Sequence, residues 1–325
     1  MDISVVIPTY NRADLLPLTL DTVLGQSRAP AEVIVVDDGS TDGTAAVVQK
    51  FADRVRYYCI ENSGEFAARN FGVAHARYPW IAFCDSDDLW ASDKLHWHAV
   101  LHRACPELAY SFSDFVIITD GTWGSQQKFD LAPAGYWEAG RTVVAEECWV
   151  IRDSLYERLI AYQPIFPSSV FIGRDFFESL GGWHTGFDRK RIVDFEFHLR
   201  CVVKPPIGAI HRPLVGIRKH AGNISGNLIN MLLGEIDVLR YALLHHKPAE
   251  RCRDTLLRSI ARRQTNALDA AFLVGNYGLV RDLYRDMAPV ARSQKAWTKY
   301  LIAGMPAPLR QPVARALTWL RQPAA

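Results

Sequence analysis

Along the first third of the chain, short apolar runs alternate with longer stretches whose apolar positions recur every three to four residues. The runs are Ile3 to Ile7, Glu32 to Val36, Val55 to Cys59 and Trp80 to Cys84, rich in β-branched side chains. Runs of that length without polar alternation read as strands buried on both faces. Between them, Leu16, Leu20, Val23 and Leu24 share one helical face, as do Val47, Val48 and Phe51. An alanine-rich helical pattern covers Glu65 to Arg77. This alternation predicts an α/β fold with a mainly parallel central sheet flanked by helices.

After Asp93 the pattern loosens. A helix carrying Leu95 and Leu101 leads to a strand over Ala109 to Ile118, then to a loop from Gly121 to Gly140. Connections that long in a compact domain usually carry function. Ser169 to Ile172, Ile207 to Ile210 and Leu214 to Arg218 are further strands. From about Leu228 only helical patterns remain, and Pro306, Pro308 and Pro312 break them near the end. The division expected is therefore 1–227 and a helical region over 228–325.

Composition narrows the function classes. A formal charge of +2 is too small to imply a nucleic-acid partner. The six cysteines are scattered, with no zinc-knuckle or CxxC spacing, which suits a reducing compartment. The N-terminus shows no basic segment followed by a long apolar one, and no run has the length of a spanning helix. The expected location is cytoplasmic, or peripheral on the cytoplasmic face of the inner membrane.

Chemistry is sought where the strands end, because open α/β sheets bind ligands at the carboxyl ends of their strands. The first strand is followed by Pro8-Thr9-Tyr10-Asn11-Arg12 and the second by Asp37-Asp38-Gly39-Ser40-Thr41-Asp42. The third is followed by Glu61-Asn62-Ser63-Gly64 and the fourth by Asp85-Ser86-Asp87-Asp88. A helix cap at Asp42 and a plain turn at Asn62-Ser63-Gly64 account for each alone; four polar strand ends on one edge are harder to dismiss. Three carboxylates within four residues repel unless a cation offsets them, and hard oxygen ligands suit Mg²⁺ or Mn²⁺. The bland alternative is a solvated acidic turn that caps the next helix. The first turn has no glycine and no GxxxxGK[ST] loop is present, so a dinucleotide-binding dehydrogenase and a phosphate-loop protein both lose their main support.

At this point the chain resembles the family 2 glycosyltransferases of GT-A fold. The resemblance rests on Val5 to Arg12, Val36 to Thr44, Asn62-Ser63-Gly64, Ala68-Arg69-Asn70 with Gly72, and Phe83 to Asp88. It continues through Gly181-Gly182-Trp183, Asp194, Arg200 and Arg218-Lys219-His220 to Asn223-Ile224-Ser225. It implies an inverting, metal-dependent transferase over 1–227 that moves a sugar from a nucleotide diphosphate sugar, UDP being the commonest, to an acceptor hydroxyl. Bacterial cell-surface polysaccharide or glycoconjugate assembly, with a saccharide or lipid-linked saccharide acceptor, is the setting it suggests. By the same resemblance Pro8, Thr9 and Tyr10 line the nucleotide pocket, and Asp38 reads the base with Arg69 nearby. Asp85, Ser86, Asp87 and Asp88 form the DxD region, in which Asp85 and Asp87 hold Mn²⁺ or Mg²⁺ and His220 reaches the metal or diphosphate. Asp194 is the general base. Tyr10 as packing, Arg69 as a simple ion-pair partner and His220 as an ordinary loop residue are the bland readings of the same side chains.

Where the family often has Glu-Asp, this chain has Val193-Asp194, which leaves Glu196 and Asp188 as neighbouring carboxylates. That departure keeps open a protein that binds nucleotide sugar without turnover. Trp123, Tyr136, Trp137, Trp149 and Trp183 are readable as sugar platforms or as packing, and Phe166-Pro167-Ser168-Ser169 as a border of the acceptor cleft. The tail, with Arg251, Arg253, Arg258, Arg262 and Arg263, fits a helical packing or dimerisation module and also a basic surface for an anionic membrane.

Overall fold

The structure is a computed structural model that describes residues 1–187, 194–220 and 227–319. Asp188, Val193, Asn223, Ile224 and Ser225 lie outside the described residues. Two compact units are present, an α/β unit up to residue 220 and a helical unit beyond.

The α/β unit runs β1 (Ile3–Thr9), α1 (Leu16–Leu24), β2 (Glu32–Asp37), α2 (Thr44–Gln49), β3 (Arg56–Cys59), α3 (Glu65–Ala74) and β4 (Trp80–Phe83). It continues with β5 (Leu89–Trp90), α4 (Lys94–Ala104), β6 (Tyr110–Thr119), β7 (Thr122–Trp123), β8 (Arg141–Ala145), β9 (Cys148–Ile151) and α5 (Tyr156–Ala161). β10 (Val170–Gly173), α6 (Arg174–Ser179), α7 (Asp194–Cys201) and β11 (Ile207–Arg218) complete it. The strands form one sheet in the order β3-β2-β1-β4-β10-β6-β11-β9-β8, with β5 on β11 and β7 on β6. All seven residues of β1 are buried, which is why its sequence shows no polar alternation. β1 is parallel to both β2 and β4, so chain order reverses between them and their carboxyl ends open a crevice at that switch point.

The first four strands are parallel, as the alternating pattern predicts. Beyond β4 the sheet is mixed, because β10 runs antiparallel to both β4 and β6. The two strands expected over Ile207–Ile210 and Leu214–Arg218 are one, β11, whose register against β6 shifts at Pro213. A proline has no amide for the ladder, so the strand bulges there and resumes. The β8–β9 hairpin was not foreseen. Its turn places Glu147 at φ 54, a left-handed conformation that glycine or asparagine ordinarily announces.

The helical unit comprises α8 (Leu228–His245), α9 (Arg253–Leu273), α10 (Tyr277–Asp286), α11 (Gln294–Ala303) and α12 (Ala307–Trp319). Its own core includes Leu232, Leu268, Phe272, Val280, Leu283 and Ile302. Pro306 lies in the break between α11 and α12, as expected, but Pro308 and Pro312 do not break α12. Pro308 lies in the first turn of α12, where a missing amide costs little. Pro312 sits inside the helix; both residues are exposed, so the carbonyl left without its amide faces water.

α3 packs on β1 through a side-chain-free position. A Cβ on Gly72 would lie 2.4 Å from Val6 Cγ1 and 3.3 Å from Val36 Cγ2. Both neighbours are β-branched and cannot turn aside. We expect Gly72→Ala to cost about 1–3 kcal/mol as overpacking, read as a lower urea midpoint at unchanged slope; an unchanged midpoint would refute this account of the α3–β1 contact.

Candidate active site at the carboxyl edge of the sheet

The loops after β1 and β2 are laced together. Asn11, at φ 50, donates its amide to Ser40 Oγ at 2.8 Å and accepts Thr41 N–H on its side-chain oxygen at 2.8 Å. Asp37 accepts the Ser40 amide and the Tyr57 hydroxyl. Asp42 accepts the Thr44 and Ala13 amides from one residue before Gly43, so it ties the start of α2 to the loop after β1 and is not itself the cap of that helix. Asp38 is buried, its amide bound to Thr9 O and its carboxylate accepting Ser63 N–H at 2.6 Å and Gly64 N–H at 2.8 Å. Those amides lie at the start of α3, whose partial positive charge favours an anion there. Gly39, at φ 78, lets this loop pass Asn62, whose amide nitrogen would be 3.1 Å from any Cβ. Pro8 and Thr9 are buried, whereas Tyr10 is 46% exposed, so packing does not account for its ring.

Asp85 to Asp88 form a turn closed by Asp88 N–H to Asp85 O at 3.0 Å. The turn separates its carboxylates. The side chains of Asp85 and Asp87 are each 18% exposed, while Asp88 and Ser86 are buried. Asp88 faces inward, accepting the Ser168 hydroxyl at 2.6 Å; Ser168 in turn accepts the Asp85 amide. Burial, then the charges of Asp87 and Asp85, push the Asp88 carboxyl well above the usual range. Ser168 therefore braces the acidic turn, a role that a border of the acceptor cleft does not describe.

Two cations face the open carboxylates. Arg69 on α3 is 1% exposed and lies 2.5 Å from Asp85 Oδ1. Burial opposes its charge, but Asp85 and Glu65 more than offset that and keep it protonated. Its guanidinium stacks 5.1 Å above Trp183 and 5.5 Å above Phe66, and its Nε and Nη1 have no hydrogen-bond partner among the described residues. Asp87 Oδ2 is 2.9 Å from His220 Nε2 and 3.7 Å from Arg12 Nε. Among the described residues no three His, Cys, Asp or Glu side chains make a ready-made metal cage. Two open carboxylates with an imidazole nonetheless suit Mn²⁺ or Mg²⁺, ions that commonly complete their shell with water and substrate phosphate.

Asp194 opens α7 and is 5% exposed. Burial and the charges of Glu65 and Asp85, opposed by Arg69, raise its carboxyl to about 7. Those neighbours place it in the same electrostatic cluster as the acidic turn. Glu196, the rival base, is committed elsewhere: Arg200 grips both its oxygens, at 2.6 and 2.7 Å, and also donates to Leu180 O and Gly182 O. The Gly181-Gly182-Trp183 segment is structural too. Both glycines have positive φ, and the Asn70 side chain pairs with Trp183 N–H and C=O at 2.8 Å each. Trp183 is 2% exposed between Phe66 and Phe197, and Tyr136, Trp137 and Trp149 are buried, so these four are packing, not open sugar platforms. Trp137 and Tyr136 belong to the long Gly121–Gly140 segment, which is mostly exposed and buries these two rings with Phe129.

Comparison with known proteins follows the same lines. Residues 4–159 match the family described as "Glycosyl transferase family 2". A putative teichuronic acid biosynthesis glycosyltransferase of Bacillus subtilis, TuaG, is 39% identical over 40% of this chain; the match spans about half of that relative, 53%. A UDP-Glc:alpha-D-GlcNAc-diphosphoundecaprenol beta-1,3-glucosyltransferase of Escherichia coli, WfaP, is 33% identical over 73% of this chain and 85% of its own length. Among solved structures, S. aureus TarS 1-349 in complex with UDP-GlcNAc superposes with a TM-score of 0.67 at 15% identity, covering 100% of this chain and 93% of that one. A mannosyltransferase from Pyrobaculum calidifontis, in complex with GDP-Man and Mn²⁺, gives 0.51 at 21% identity, covering 98% and 88%. At such identities these two likenesses are of fold.

The Glu196–Arg200 pair generates a test. Glu196→Gln removes a buried carboxylate from the partly exposed Arg200 guanidinium, and we expect a loss of stability of about 1–3 kcal/mol. Chemical unfolding reads this directly; a variant as stable as the wild type would show that Glu196 is free for another role.

Proposed function

The chain belongs to glycosyltransferase family 2, and from that premise we propose that it transfers a sugar from a UDP-sugar to an acceptor hydroxyl with inversion at the anomeric carbon. The observation that carries the reading is the joint presence, at the β1–β4 switch point, of two outward carboxylates, an imidazole against one of them and a buried carboxyl raised to about 7.

In this reading the nucleotide lies across the ends of β1 and β2. Tyr10 offers its exposed ring to the base, Pro8 and Thr9 shape the pocket wall, and Asp38 stands behind it, preset by the amides of Ser63 and Gly64. Asp85, Asp87 and His220 hold Mn²⁺ or Mg²⁺, which when bound stabilises the charge that develops on the leaving diphosphate. Arg69, with two unpaired buried nitrogens, adds positive charge on the same side. Asp194 takes the acceptor proton as the new glycosidic bond forms, and a carboxyl near 7 suits a base working at neutral pH. The transfer is a single displacement, so no enzyme nucleophile is needed.

The acceptor in this reading is a saccharide or lipid-linked saccharide of a bacterial cell-surface polymer. The printed activity of the E. coli relative, on a diphosphoundecaprenol acceptor, supports that class. No helix among the described residues is long and apolar enough to cross a membrane. The exposed Arg251, Arg253, Arg258 and Arg262 at and along α9 offer peripheral contact with an anionic cytoplasmic face.

Two measurements test the reading. Titration calorimetry with UDP should show binding that needs Mn²⁺ and is weakened by Asp87→Asn; equal affinity in Mn²⁺ and in EDTA would refute a metal at this turn. Asp194→Asn should lower the single-turnover rate at saturating donor about 10²-fold or more. The sign of its pH dependence follows from the raised carboxyl: below about 7 Asp194 carries its proton and cannot accept another. The wild-type rate should therefore climb as pH rises through about 7 and level off above it, and Asp194→Asn should lose that limb. A variant that keeps both rate and limb places the base elsewhere.

A further inference from the structure

The acidic turn is bound to α1 by a row of polar side chains that the chemistry above does not use. Thr19 and Thr22 are three residues apart on one face of α1, and Gln26 follows just past its C-cap, Gly25. Thr19 is fully buried among Leu16, Leu20 and Val23. Its hydroxyl lies 2.9 Å from both Ser86 O and Asp88 O, sharing one proton between them. Thr22 Oγ1 accepts Trp90 N–H at 3.2 Å. Gln26 donates to Ala91 O at 2.7 Å and accepts Leu95 N–H at 3.0 Å. Arg218, at the end of β11, closes the arrangement: its Nε donates to Asp87 O, and its Nη2 donates to Thr19 Oγ1 at 2.9 Å and Leu15 O at 3.0 Å. The carbonyls of Ser86, Asp87 and Asp88 are thus held in succession from behind.

We propose that Thr19 and Arg218 are positioning residues for the DxD turn, fixing the directions in which Asp85 and Asp87 present their carboxylates. The turn packs three carboxyl groups into four residues, and its lowest-energy free state is one that spreads them. Anchoring three consecutive carbonyls removes that freedom before any ligand arrives. Arg218 adds a buried cation on the inner side, where it offsets repulsion without competing for the outer oxygens. β11 contributes twice, through Arg218 on the Asp87 carbonyl and through His220, two residues on, against the Asp87 carboxylate. Thr19 touches neither Asp85 nor Asp87 side chain in this arrangement; it acts through the backbone. The proposal rests on the reading of Asp85 and Asp87 as the metal-holding pair.

The test is titration calorimetry of UDP across a range of Mn²⁺ concentrations, with thermal unfolding of the ligand-free protein alongside. Thr19→Val removes the hydroxyl at nearly constant shape, and Thr19→Ser restores it. We expect Thr19→Val to weaken Mn²⁺-dependent UDP binding about 10-fold or more, the usual cost of losing a group that orients metal ligands, with recovery at high Mn²⁺. Thr19→Ser should bind close to wild type. If Thr19→Val does not fold, Arg218→Lys, which keeps the charge but loses the guanidinium geometry, should show the same shift in Mn²⁺ requirement. Wild-type Mn²⁺ dependence in Thr19→Val, or in Arg218→Lys where that variant is the one tested, overturns the proposal. Wild-type protein that binds UDP equally with Mn²⁺ and EDTA overturns the metal reading itself, and that result comes from the wild-type titration alone.

Discussion

Three carboxylates in four residues must be held against their own repulsion, and the α/β unit is arranged around that requirement. At contact distance two like charges cost about 1 kcal/mol even in water and several times that at a protein surface. The structure meets this by sorting. Asp88 turns inward to Ser168, in surroundings that favour its protonated form. Asp85 leans on Arg69, and Asp87 on His220 and Arg12. The resulting turn has one inner acid and two outer ones, and the elements that impose the sorting come from α1, α3, β11 and the segment before β10.

The same accounting separates Asp194 from Glu196, two acids two residues apart on α7. Glu196 is spent on Arg200, which in turn secures the turn after α6. Among the described residues Asp194 has no such partner gripping both its oxygens, and it sits among Glu65, Arg69 and Asp85, where burial and like charge work together. A helix start helps, since it tolerates an acid in its first turn. The different states of these neighbouring carboxylates follow from their surroundings.

Much of the candidate site was legible because each buried run is followed directly by polar residues that the parallel strands bring to one edge, so strand and candidate site share one signal. β1 to β4 and the clustering of Pro8-Thr9-Tyr10, Asp38 and Asp85 to Asp88 are of that kind. What stayed hidden depends on contacts between distant segments. Thr19 reads as one threonine on an apolar helix face, and only its meeting with residues 67 and 69 positions later gives it meaning. Ser168 is likewise anonymous until it lies beside Asp88. The tryptophans could not be divided between platform and packing, since exposure is a tertiary property. The β8–β9 turn was silent because glutamate, not glycine, occupies its left-handed position.

The double hydrogen bond between Asn70 and the backbone of Trp183 has a consequence for how such a chain can diversify. Asn70 follows Arg69 on α3, and Trp183 precedes the segment that leads to Asp194. One amide side chain, donating and accepting at once, acts as a gauge block between α3, which carries Arg69, and the glycine turn after α6. A substitution at residue 70 would therefore be felt on both sides of that spacing. Aspartate at the same place would accept but not donate, and the gauge would lose one of its two faces.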